Sequence, residues 1–272
     1  MSNQPVKKQG GFSLPAGIVI VVLFVIAYLI WEYWFGAAGN FVDPARHEPV
    51  KEGFNSYLGT IYLGGPVVPV LLTLFMCVIT FSIERFITIR KAYGAGSVEQ
   101  FLQSIKTKLA ANDIQSAIAD CNKQKGSVAN VVQAGLSKYA EMEKVGDLTV
   151  EQKVINISKE IEETTSLEMP MLEKNLSIIS TIASVGTLVA LFGTVLGMIR
   201  AFKAMGASGT PDPTALATGI SEALINTALG IFSSALAIIA YNYFTGMIDK
   251  LTYSIDEISF TIQQTFSGKH GK

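Results

Sequence analysis

Four stretches without charge, each long enough to cross a bilayer, leave this chain few folds to choose from. The first lies between Lys8 and Glu32 and runs into "PAGIVIVVLFVIAYLIWEYWFG". The second, within residues 53–83, has "PVVPVLLTLFMCVITFSI" as its apolar part. The third is "NLSIISTIASVGTLVALFGTVLGMI", residues 175–199, and the fourth, 223–248, follows Glu222 directly. A helix needs ~20 largely apolar residues to span the hydrocarbon core. Only 16% of the chain is charged, against ~25% in soluble domains. The expected fold class is therefore all-α, a polytopic membrane protein with four transmembrane helices.

The first stretch is too long for a signal-peptide core of ~7–15 residues. It also ends in "WEYWF", the aromatic girdle of a membrane–water boundary, so it reads as a retained anchor. Lys7 and Lys8 precede the first span, Arg85, Arg90 and Lys91 follow the second, and Lys250, Lys269 and Lys272 follow the fourth. The positive-inside rule puts all of these, and both termini, in the cytoplasm. Arg200 and Lys203 at the outer end of the third span depart mildly from that rule, as snorkelling side chains do.

These assignments divide the chain into six parts: a tail with the first span (1–35), an outer segment (36–65), the second span (66–84), a cytoplasmic helical region (85–176), the third and fourth spans (177–248) and a cytoplasmic tail (249–272). Neither the outer segment nor the short link "GASGTPDP" resembles a folded module. In the cytoplasmic region, Ser97 with Gln100 and Thr149 with Gln152 have capping-box spacing. Two further helices, "IQSAIADCNKQKG" and "VANVVQAGLSKYAEMEKVG", are each stopped by glycine. From Thr149 to about residue 205 the pattern predicts one long helix, kinked near Pro170 and projecting far beyond the bilayer as a cytoplasmic extension. No strand signal and no internal repeat stand out. Residues 91–175 carry ten basic and twelve acidic side chains, too balanced to attract polyanions. With a formal charge of −1, nothing points to nucleic acid.

The chemistry lies in polar residues inside the apolar runs. Ser180, Ser184, Thr187 and Thr194 recur at steps of four, three and seven, with Ala183, Ala190, Gly197 and Ala201 on or beside the same face. Such a stripe fits close helix packing and a pore lining alike. In the fourth span Glu222, Asn226 and Ser233 form one track and Thr227, Ser234 and Tyr241 a second. Glu222 and Thr227 lie ~140° apart around the helix, so one can face a lumen and the other a neighbouring subunit. An acid at this place is either shallow, in water beside the positive helix N-terminus, or an intramembrane functional group. No span contains aspartate, so a proton path through this chain requires an acid from elsewhere. Cys77, Cys121, His47 and His270 are isolated, which argues against a disulfide framework or a metal site. No nucleophile–base set, phosphate loop or cofactor motif suggests an enzyme.

"LFGTVLGMIRAF" followed by "GISEALINTALGIFSSALAIIAYNYF" resembles the paired signature of the MotA/TolQ/ExbB proton-channel family, closest to its ExbB branch. Gly193, Thr194 and Val195 match the first motif. Gly219, Glu222, Ala223, Leu224, Thr227, Ala228 and Gly230 match the second, and Tyr241, Asn242 and Phe244 its end. "IER" at 83–85 is similar to the inner end of the first family helix. The pattern departs at Thr187 and Ala190, where a Pro–x–x–Gly step is usual, and at Ala235, Leu236 and Ala237, which replace "AIP". The first span is additional to the family's three helices.

The resemblance implies a ring-forming homo-oligomer, a pentamer in this family, in the bacterial inner membrane. The ring would surround an ExbD-like single-span partner whose transmembrane aspartate carries the proton, and a TonB-like protein would pass the motion to the outer membrane. Thr194 and Thr227 would line the proton passage, with Glu222 tuning access or pairing across subunits. Thr187, Ser180, Ser184, Asn226 and Ser234 extend the polar wall. Membrane lipids are the remaining expected partner, and no cofactor is implied.

Overall fold

The computed structural model describes residues 15–43, 48–207 and 213–270. Lys7, Lys8, His47, Lys272 and most of the link after the third span lie outside them. The chain divides into two compact units, Met1–Thr80 with Ile178–Ile238 and Phe81–Ser177 with Ile239–Lys272. Among the described residues, four helical stretches are long and apolar enough to cross a membrane: Ala16–Phe35, Gly65–Ala110, Val150–Lys203 and Leu216–His270.

In the first unit, α1 (Ala16–Leu29) is exposed on most faces and passes into a π-helical turn, Ile30–Phe35. The wider turn leaves carbonyls unpaired, and the buried Asn40 side chain donates to two of them, Trp34 O at 2.7 Å and Phe35 O at 2.9 Å. The outer segment, expected to lack a fold, is compact. β1 (Phe41–Asp43) pairs antiparallel with β2 (Glu48–Pro49), and α2 (Phe54–Tyr62) packs on the ribbon and the π-turn. Tyr62 supplies the anchor: its ring stacks on Trp31 at 4.8 Å and meets the Phe41 ring edge-on. Strands this short carry too little alternation to be read from sequence. The unit continues with the first part of α3 (Val68–Tyr93), most of α8 (Leu176–Ala207) and the front of α9 (Pro213–His270). Its core joins Val67, Leu71 and Ala190 to Val189, Leu196 and Leu229.

In the second unit, α4 (Val98–Ala110), α5 (Ile114–Gln124), α6 (Gly126–Lys144) and α7 (Val150–Glu173) pack in sequence order. Both proposed caps form. Ser97 accepts from the Gln100 backbone, and Thr149 and Gln152 complete a reciprocal capping box. Burial pushes the Cys121 thiol up to about 12, so it packs as a small apolar group.

Two expectations need correction here. Residues 249–270, set apart as a tail after the fourth span, are helical and form the rear of α9, whose Leu251, Ile255, Ile258, Ile262 and Phe266 are buried at helical spacing. Gly135 of α6 shows how close that packing is: a Cβ there would lie 2.7 Å from Ile161 and 3.5 Å from Ile262. Phe266 meets the Tyr139 ring edge-on at 4.8 Å, and Lys106 and Lys269 pair with Glu257 and Glu143, both at 2.5 Å.

Nor is 149–205 one helix. α7 continues through Pro170 and ends three residues later at Glu173, just before Asn175 takes a left-handed φ of 65°. Asparagine tolerates that conformation better than most residues. The loose carbonyls at this end find a partner in Arg85, only 2% exposed, which donates to Met171 O at 3.0 Å and Leu172 O at 3.1 Å. A cation is also favoured at the negative end of a helix. Glu84 braces the guanidinium and accepts from the Asn175 side chain at 3.2 Å. Arg85→Ala should destabilise the protein by about 2 kcal/mol, less than for a fully buried pair because Glu84 is half exposed. Thermal unfolding in detergent, with trypsin cleavage after Lys174 as a local probe, checks this.

Candidate functional site

The third and fourth spans meet through their smallest residues. On α8 these are Gly186, Ala190, Gly193, Gly197 and Ala201; on α9 they are Gly219, Ala223, Asn226, Gly230 and Ser234. A Cβ on Gly230 would lie 2.2 Å from the Ala190 Cβ, and one on Gly197 would lie 2.9 Å from the Gly219 carbonyl. One on Gly193 would lie 2.9 Å from the Asn226 side chain. Hydrocarbon gives no hydrophobic drive between helices, so contact this close is what holds them together.

The small residues expected beside the hydroxyl stripe thus face α9, and the hydroxyls flank the seam. Thr194 and Thr227 come together across it. Their Oγ1 atoms are 2.5 Å apart, either able to donate, and both side chains are half-buried. Thr194 also reaches Ala190 O at 3.0 Å and Ala223 O at 3.4 Å, and Thr227 reaches Ala223 O at 3.0 Å. Two hydroxyl protons therefore share more acceptors than they can fill. In one arrangement Thr194 donates to Ala190 O and Thr227 to Thr194. In the other Thr227 donates to Ala223 O and Thr194 to Thr227. Such a pair can accept a proton from a neighbour on one side and release one on the other, with little reorganisation.

Toward the start of α8 the hydroxyls are more open. Ser184 and Thr187 are exposed and bond back to their own helix, to Ser180 O and Ser184 O among others. Ser180 is half-buried. Thr187 lies 3.5 Å from the buried Ser234.

Glu222 and Asn226 sit in the protomer's own packing instead. Glu222 is buried and ion-paired with Arg200 of α8, whose side chain is 48% exposed. Beside them is Gly65, at φ 75°, where a Cβ would lie 2.5 Å from the Glu222 carboxylate. Only glycine suits that backbone and that contact. Asn226 is fully buried and donates to Gly64 O at 2.9 Å, while its Oδ1 has no partner among the described residues. Arg200, expected to snorkel free, is therefore the residue that sequence reasoning missed. The available clue was charge bookkeeping: the paired spans carry opposite charges near the same end, Arg200 and Lys203 on one and Glu222 on the other.

A hydroxyl couple beside a seam of small residues fits close helix packing and a polar wall alike. Residues 123–257, which contain the seam and both threonines, match the model of the MotA/TolQ/ExbB proton channel family. Among curated relatives, the Tol-Pal system protein TolQ of Pseudomonas aeruginosa is 29% identical over 46% of this chain and 54% of its own length. TolQ of Haemophilus influenzae is 28% identical over 50% of this chain and 61% of the relative. A biopolymer transport protein ExbB homolog of Methanothermobacter thermautotrophicus is 25% identical over 80% and 72%. The chain thus spans somewhat over half the length of the TolQ relatives.

Two substitutions test the geometry by thermal unfolding in detergent. Gly230→Ala should cost about 1–3 kcal/mol, the overpacking range. Arg200→Leu should cost about 2 kcal/mol, less than a fully buried pair because Arg200 is half exposed. Combining it with Glu222→Gln should recover much of that loss, since no charge is then left buried alone.

Proposed function

We propose that this chain is an ExbB-like stator subunit of the inner membrane, which couples proton flow to work with an ExbD-like partner. In this reading copies of the chain form a ring, a pentamer, around a single-span helix whose aspartate carries the proton. Both termini and the second unit lie in the cytoplasm, with the outer segment in the periplasm. The reading rests on the Thr194–Thr227 couple, which offers a hydroxyl relay but no titrating group of its own. A proton crossing beside it needs an acid from another chain. Each charge moved is worth ~2.3 kcal/mol per 100 mV, so a few protons suffice for a mechanical cycle. That motion would pass through a TonB-like protein to nutrient import across the outer membrane.

TolQ relatives favour a second reading with the same mechanism, an energiser of envelope integrity. Deletion separates the two: loss of energy-dependent nutrient uptake supports the first, detergent sensitivity with normal uptake the second. Thr194→Val and Thr227→Val should leave assembly intact and lower proton-driven work by at least tenfold, measured as uptake or as proton flux in vesicles. Full activity in both variants would leave only a structural membrane scaffold.

A further inference from the structure

Helix α2 has three sides, and the protomer uses only two. Leu58 and Gly59 are buried and Tyr62 stacks on Trp31, which makes the inward side. Gly59 permits the approach, since a Cβ there would lie 2.7 Å from the Asn40 carbonyl. Ser56 and Thr60 form a polar side, with the Thr60 hydroxyl bonded back to Ser56 O at 2.7 Å. The third side is apolar and uncovered. Phe54 and Tyr57 are 67% and 71% exposed, and the half-buried Ile61 continues the row at i, i+3, i+7 spacing.

An aqueous location would leave these aromatics in water without compensation. Chain continuity supplies a better occupant. The span Ala16–Phe35 ends a short way before α2, and the next begins at Gly65, three residues after Tyr62. Tyr33 and Trp34, at the end of the first span, are exposed as well and extend along the chain the lipid-facing surface of Val21, Val25 and Leu29. Rings with an apolar body and a polar edge are the groups that settle at headgroup level. A helix with one apolar flank, tethered at both ends to spans, lies in the interface plane.

We infer that the flank Phe54–Tyr57–Ile61 is a lipid-docking surface, seated at the headgroup–acyl boundary and laying α2 flat on the bilayer. The inference needs only that the chain is in a membrane, not that it conducts protons.

The test is nitroxide labelling of full-length protein in nanodiscs of phosphatidylethanolamine and phosphatidylglycerol. The native Cys77 and Cys121 are buried, so Phe54→Cys and Tyr57→Cys can be labelled selectively. Glu52→Cys, an exposed position just before α2, serves as the aqueous reference. All three sites lie off the core, and an unchanged size-exclusion profile confirms folding. Relaxation by lipid-soluble oxygen should exceed relaxation by a water-soluble nickel chelate at 54 and 57, with the ratio reversed at 52. Nickel-dominated relaxation at 54 and 57 would place the flank in water. Protection from both agents there would mean that protein covers it. Either result overturns the inference.

Discussion

Close contact between α8 and α9 sets the positions of the residues that matter in the membrane. With Gly230 against Ala190 and Gly197 against the Gly219 carbonyl, the two backbones approach as nearly as side chains permit. Dispersion falls off steeply with distance, and apolar lipid competes equally for any larger side chain, so only small residues make this seam favourable. Once the helices are that close, Thr194 and Thr227 must share hydroxyl bonds across it, and Glu222 comes within reach of Arg200. The hydroxyl couple is a consequence of the glycines.

The polar groups around this seam are satisfied in different ways. Thr194, Thr227 and Ser233 fall back on carbonyls one turn earlier, which costs little and leaves the hydroxyl able to reorient. Asn226 instead ties α9 to the turn before α3, using one side of its amide and leaving the other unpaired among the described residues. Glu222 is held by a cation on the facing helix. The first group can change partners, whereas Asn226 and Glu222 are fixed. That contrast separates the threonines from the two residues whose partners are set by packing.

Much of this was legible beforehand, because the signals are local. The spans follow from runs without charge, and the caps at Ser97 and Thr149 follow from three-residue spacing. The misses each depended on a distant partner. Asn175 ends α7 where Arg85, some ninety residues earlier in the chain, can bond its carbonyls; Pro170, the obvious breaker, is carried inside the helix. The rear of α9 read as a tail because its isoleucines acquire meaning only against Gly135, Ile161 and Tyr139. The ribbon at 41–49 is too short to show a period.

The sequence alone determined that this chain has helices long and apolar enough to cross a membrane, and where polar residues interrupt them. Which of those residues stay adaptable and which are locked was settled only by the tertiary structure. The reason is physical: a hydroxyl can always bond its own helix, whatever lies opposite. The state of a buried charge or amide depends on the group that a neighbouring helix brings to it, and that is fixed by packing across the fold.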